Sequence, residues 1–244
     1  MMPPSAASVA DDRRRRIRAF LDAHGLDVTC AELVSQALTH RSYAFEHDEM
    51  PDSERMEFLG DAVVGCVAAD FLYRAFPEDA EGTLSKKKGY LVSRTELGRR
   101  AEELGLASLV LLGRGEVNSG GRQRLSIVGS ALEALVGALF LEKSLDCALN
   151  RFIEERILKP ALPALQKGAH LDYKSRLQEF LQKNGPALPV YRKTGESGPA
   201  HKRVFSVDVY VADERLGTGE GQRIKTAENR AARQAYEALV RRCE

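Results

Sequence analysis

Glu54-Arg55-Met56-Glu57-Phe58-Leu59-Gly60-Asp61 stands directly ahead of an apolar run, Ala62-Val63-Val64-Gly65-Cys66-Val67-Ala68-Ala69. The apolar positions recur at helical spacing, so one largely buried helix is expected, beginning after Pro51 with Asp52 or Ser53 as its cap. Glu57 and Asp61 then fall one turn apart on the same face. Two carboxylates at that spacing repel each other, and withdrawal from water makes the repulsion worse. A divalent cation would relieve it, and an open, oxygen-rich site suits Mg²⁺ or Mn²⁺. The plainer reading, an acidic solvated helix face, stays open; the apolar flanks weigh against it.

A second apolar stretch runs from Ser126 to Phe140, and Glu133 is the only charge between Ser126 and Leu141. A lone charge among so many apolar neighbours needs a partner. Two readings stand: a salt bridge to Arg55 or Arg122, or completion of a metal site with Glu57 and Asp61. Gly60, Gly129 and Gly137 would let the two helices approach closely.

From about Arg14 to Leu165 the pattern is helical nearly throughout. Apolar residues keep helical spacing in 17–23, 31–38, 55–76, 86–104 and 127–152, with no convincing strand alternation. Residues 1–12 are expected to be disordered. Pro77-Glu78-Asp79, Gly113-Arg114-Gly115 and Ser119-Gly120-Gly121 mark loops. After Pro160 and Pro163, Gln166–His170 reads as a short linker. A helix from Asp172 to about Lys183, a possible strand at Val190–Arg192, a clear half-buried strand over Phe205–Val211, a turn at Ala212–Glu214, a strand over Arg215–Gly219 and a final helix follow. Two domains are therefore expected, an all-α one over residues 14–165 and an α+β one of order α-β-β-β-α over residues 171–241.

Net charge is +1, which points to no partner, but its distribution is uneven. Leu171–Arg241 holds 13 Lys and Arg against 9 Asp and Glu, a net of +4, leaving −3 for the remainder. That asymmetry suits a metal-dependent site joined to a polyanion-binding module. Arg13-Arg14-Arg15-Arg16 reads as the solvated start of the first helix. No uninterrupted apolar run reaches membrane-spanning length and no signal-peptide core is visible. The four cysteines form no C-x-x-C pair or zinc spacing and read as reduced thiols of a cytoplasmic protein. His40 reads as a capping or core histidine.

The segment Glu54–Val64 resembles the signature of the ribonuclease III family, endoribonucleases specific for double-stranded RNA. Thr39–Ser42, Glu81–Ser85, Gly113–Glu116 and Ser119–Arg122 resemble further family segments in the expected order, and the C-terminal part is similar to a double-stranded-RNA-binding domain. The resemblance spans about residues 14–241. It implies four acidic metal-site positions. Glu57 and Asp61 occupy the first two and Glu133 the fourth, with Asp61 and Glu133 in the strictest, catalytic roles. The third position, normally aspartate, is Ser130, a poorer ligand without charge. Mg²⁺, with Mn²⁺ as a substitute, is the implied cofactor. Phosphodiester hydrolysis in duplex RNA would leave 5′-phosphate and 3′-hydroxyl ends, in the processing of rRNA and mRNA. A homodimer is also implied, with Phe58 inserted into the partner subunit, although the residues alone place Phe58 in a core.

In the second domain the resemblance assigns duplex contacts to Lys174, Gln178 and Glu179 on the first helix and to the loop Gly198–Arg203 with Pro199, His201 and Lys202. The third region falls at Ile224-Lys225, where one basic residue of the usual pair is missing and Arg223 stands beside it. A-form RNA hides its base edges, so shape, 2′-hydroxyls and phosphates are what such residues read. Double-stranded RNA is the expected partner; neither DNA nor a membrane is. The alternative is a duplex-RNA binder with weak or no cleavage, motivated by Ser130.

Overall fold

The computed structural model describes residues 6–47, 50–166, 168, 172–185, 187–199 and 203–243. The chain divides into two compact units, Met1–His170 and Leu171–Glu244.

The first unit is helical. Its elements are α1 (Ala6–Ala23), α2 (Ala31–Ala37), α3 (Arg41–Glu46), α4 (Glu54–Ala75), α5 (Glu81–Leu91), α6 (Arg94–Glu103), α7 (Arg114–Asn118), α8 (Leu125–Lys143), α9 (Cys147–Phe152) and α10 (Leu162–Gln166). The only extended pairing among its described residues is one parallel bridge between Thr39 and Leu111. At the centre α4 packs against α8. Val63, Val64, Val67 and Leu72 meet Leu132, Leu135 and Val136 in one buried cluster, each such side chain contributing about 1.5–3 kcal/mol. The closeness of the crossing comes from glycines. A Cβ on Gly60 would overlap the backbone carbonyl of Glu133, and one on Gly137 would overlap that of Met56.

Several sequence expectations need correction. Residues 6–12 are helical, because α1 begins at Ala6. The stretch 86–104 is two helices, since Ser93 caps α6 by accepting the Glu96 amide. The stretch 127–152 likewise breaks at Ser144, whose φ of 56° is left-handed. Arg114 and Gly115 open α7 instead of lying in a loop. Helix α8 is long and apolar enough to cross a membrane by length and composition. It is nonetheless the packed central helix, with eleven residues buried from Val128 to Leu139.

The second unit contains α11 (Tyr173–Asn184), three antiparallel strands β1 (Val190–Ser197), β2 (Val204–Val211) and β3 (Glu214–Gly221) in that order, and α12 (Ile224–Cys243). Asp172 caps α11 by accepting the amides of Lys174 and Ser175. Ala212 and Asp213, both at positive φ, make the β2–β3 turn. Tyr173, Leu177 and Leu181 of α11 pack with Val209 and Val211 of β2 and with Ala231, Ala232 and Ala235 of α12. β1 is longer than the three residues expected. The second face of β2 is not simply solvated, because Asp208 is buried there beside the Arg215 guanidinium at 3.3 Å. Of the expected linker, residues 167, 169 and 170 lie outside the described residues.

Candidate active site and duplex-binding surface

The α4–α8 crossing decides where the acids go. Because Gly60 seats on the Glu133 backbone, the residue before Asp61 touches the residue that carries the third carboxyl. Glu57, Asp61 and Glu133 consequently line one open cleft of about 500 Å³, together with Glu54, Phe58, Val92 and Arg94. A larger cleft of about 1000 Å³ adjoins it and shares Glu54, Glu57 and Arg94; His40, Phe45, Arg124 and Ser130 are also in its wall.

The three acids differ in environment. Asp61 is exposed and Glu57 half-buried, so α4 presents both to the cleft instead of burying them. Glu133 is only 5% exposed. Burial pushes its carboxyl up to about 7, Asp61 and then Glu57 add to the rise, and Arg94 pulls the other way. Neither Arg55 nor Arg122 neutralises it. Arg122 instead donates to the carbonyls of Ala107 and Val110, both at 3.0 Å. Among the described residues Glu133 has no ion pair within 4.0 Å, and the attraction of Arg94 does not offset its burial and the two neighbouring acids.

Ser130 lines the larger, adjoining cleft, and its hydroxyl donates to Glu57 Oε1, which borders both, at 2.7 Å. The serine at the usually acidic position thus serves as a clamp on a neighbouring acid. Among the described residues no three His, Cys, Asp or Glu side chains are drawn tightly enough together to make a finished metal cage. Like charges keep such a set apart, and Glu57 is already held toward Ser130. The donor set nevertheless fits an oxygen-seeking divalent cation: three carboxylates, one hydroxyl, an open cleft and a carboxyl raised by burial and by its acidic neighbours. Mg²⁺ keeps several of its waters and needs only one or two direct carboxylates.

His40 caps α3, its Nδ1 accepting the Ser42 amide at 3.2 Å, as its sequence reading expected. Phe58 is 82% exposed, which overturns the core reading taken from the residues alone. Arg94 is a cleft residue that sequence reading missed. No pattern marks a lone arginine after Ser93, and only the packing of α6 on α8 at Gly129 brings it opposite the acids.

In the second unit Gln178 and Glu179 are exposed on α11, and Pro199 is exposed after β1. Arg223 and Lys225 are exposed at the start of α12 and form no ion pair among the described residues. Lys174 differs from expectation. Its ammonium pairs with Glu228 at 2.7 Å and lies over the Tyr191 ring, so it braces α11 against α12. His201 and Lys202 lie outside the described residues.

Residues 31–161 match the family model described as Ribonuclease-III-like, and residues 173–239 match the double-stranded RNA binding motif. Relatives named Ribonuclease 3 match nearly end to end. That of Symbiobacterium thermophilum is 44% identical, over 94% of this chain and 96% of its own. The chain belongs to the ribonuclease III family. Ribonuclease 3 of Thermobifida fusca is 41% identical, over 91% of this chain and 92% of its own. Among solved structures, the ribonuclease III nuclease domain from Campylobacter jejuni is similar, with 34% identity, 59% of this chain and 97% of that one covered, and a TM-score of 0.53. A second structure of that domain, which reports flexibility in a region involved in dimer formation, gives 35% identity, 56% and 95% coverage and a TM-score of 0.52. This ribonuclease III family chain therefore joins an all-α nuclease domain to an α+β double-stranded-RNA-binding domain.

Proposed function

We propose that this member of the ribonuclease III family, an endoribonuclease specific for double-stranded RNA, hydrolyses its substrate with a divalent cation held by Glu57, Asp61 and Glu133. The observation that carries the metal assignment is Glu133, a buried carboxyl facing two further acids and held high despite the attraction of Arg94. Mg²⁺, with Mn²⁺ as substitute, supplies a Lewis acid for the phosphoryl oxygen and lowers the pKa of the attacking water. Asp61, exposed on α4, and Glu133, fixed on α8, are the catalytic acids. Ser130 orients Glu57 through its hydroxyl. Burial and the neighbouring acids hold the Glu133 carboxyl up to about 7 in the cation-free protein, and a bound cation would favour its ionised form. In-line attack leaves 5′-phosphate and 3′-hydroxyl ends.

Two copies of the chain act together, with exposed Phe58 beside each cleft seated on the partner subunit. The second domain holds the duplex by shape: Gln178 and Glu179 on 2′-hydroxyls, the Pro199 loop on a second minor groove, and Arg223 and Lys225 on phosphates beside the α12 N-terminus. Its setting is the cytoplasm, where Cys30, Cys66 and Cys147 remain free thiols, and its work is rRNA and mRNA processing.

The experiment incubates the purified chain with a long RNA duplex in Mg²⁺ and maps the product ends. Cutting with 5′-phosphate ends, abolished by chelation and by Glu133→Gln while duplex binding persists in Ca²⁺, is expected. Cutting that survives either treatment overturns the metal assignment.

A further inference from the structure

We infer that Arg94 is a substrate-binding residue of the nuclease cleft, its guanidinium holding a backbone phosphate of the RNA beside the acids. The inference rests on the endonuclease reading above and adds a contact to it.

Three arginines line the two adjoining clefts: Arg41, Arg94 and Arg124. Two are engaged. Arg41 pairs with Glu54 at 3.2 Å and Arg124 with Glu116 at 2.6 Å. Arg94 is exposed, borders both clefts, and has no ion pair or hydrogen bond from its side chain among the described residues. A guanidinium surrounded by Glu54, Glu57, Asp61 and Glu133 would ordinarily be drawn into a salt bridge with one of them. Here it is attracted to Glu133 without closing on any of the four, which leaves five donors in a planar fork that matches phosphate oxygens in pairs.

Its mounting is rigid. Arg94 is the first residue of α6, behind the Ser93 cap, so the positive end of that ten-residue helix stands at its base. Its backbone carbonyl lies against Gly129, where a Cβ would come to 2.9 Å. Gly129 immediately precedes Ser130 on the helix that carries Glu133. The arginine and the acids are thus tied to one piece of backbone.

Charge supplies the need. A phosphate entering this cleft meets four carboxylates, and one unpaired cationic side chain in the wall offsets part of that repulsion. Ser130, standing where the family resemblance expects an acid, leaves the adjoining cleft wall with one negative charge fewer. The ligand is therefore the sugar–phosphate backbone of the duplex and not a base edge.

The test uses the full-length chain, Arg94→Ala and Arg94→Lys, and a 30-base-pair RNA duplex. Melting curves should shift little, because the side chain is exposed and makes no hydrogen bond or close ion pair, only a solvent-screened attraction to Glu133. For Arg94→Ala, the slope of log affinity against log salt, measured in Ca²⁺, should fall by about 0.9, the share of one phosphate contact. KM in Mg²⁺ should rise about tenfold with a smaller loss in kcat, the effect of losing one charge-assisted contact. Arg94→Lys should keep the slope and recover part of KM. An unchanged slope with unchanged KM in Arg94→Ala overturns the inference, as does a lower Mg²⁺ requirement as the sole effect, since Arg94 would then only offset the acids. Failure of the unmutated chain to cut the duplex would overturn the endonuclease reading instead, so the two failures are distinguishable.

Discussion

Glu133→Gln should make the cation-free protein more stable while removing its activity. The carboxyl is displaced from 4.5 to about 7, and a shift of one pH unit corresponds to about 1.4 kcal/mol. The folded chain is therefore destabilised by about 3 kcal/mol once Glu133 is charged. The sign follows from proton linkage. The folded state holds the Glu133 proton more tightly than the unfolded state, so this group's contribution is fully present below pH 4.5 and is lost as pH rises toward 7. Glutamine keeps the shape without the charge. Thermal or urea unfolding in a chelator should show the variant and the parent nearly equal at pH 4.5. At pH 8 the variant should be more stable by about 3 kcal/mol, or roughly 6–12 °C in Tm for a unit of this size. Saturating Mg²⁺ should narrow the gap, because only the parent gains full cation binding. A stability difference that is the same at both pH values, or a variant less stable at pH 8, would refute the account of Glu133 as an uncompensated buried carboxyl.

Two further substitutions probe the neighbourhood. Gly60→Ala should cost about 3 kcal/mol or more, because the added methyl meets backbone instead of a yielding side chain; chemical denaturation measures it, and a loss under 1 kcal/mol would contradict the close crossing. Ser130→Asp replaces the donor to Glu57 Oε1 with a like charge, so the chelated protein should melt lower at pH 8 while the Mg²⁺ concentration for half-maximal cutting drops several-fold; titrating both quantities checks it, and no change in either rejects the clamp.

Much of this was legible from spacing. Glu57 and Asp61 share a face because four residues make about one turn, and Glu133 stood out as a charge in an apolar run. The alternation from Phe205 to Val211 marked β2 without help. What was hidden depends on partners distant in sequence. That Asp61 is exposed and Glu57 half-buried follows from which side of α4 meets α8, and periodicity shows a stripe without saying what covers it. The breaks at Ser93 and Ser144 were masked because apolar spacing continues across both. Asp208 looked solvated until β3 brought Arg215 beside it. Lys174 looked like a phosphate ligand until α12 supplied Glu228. Arg94 carried no signal at all, since its meaning depends on Gly129, 35 positions later in the chain.

The contact between Gly60 and the Glu133 carbonyl makes the nuclease centre inseparable from the keystone of its domain. No hinge lies between the two carboxyl-bearing segments, so warming or denaturant cannot loosen one acid while the scaffold survives. Inactivation and collapse of the helical unit should therefore be a single event, so that activity remaining after heating tracks the fraction of chains still folded.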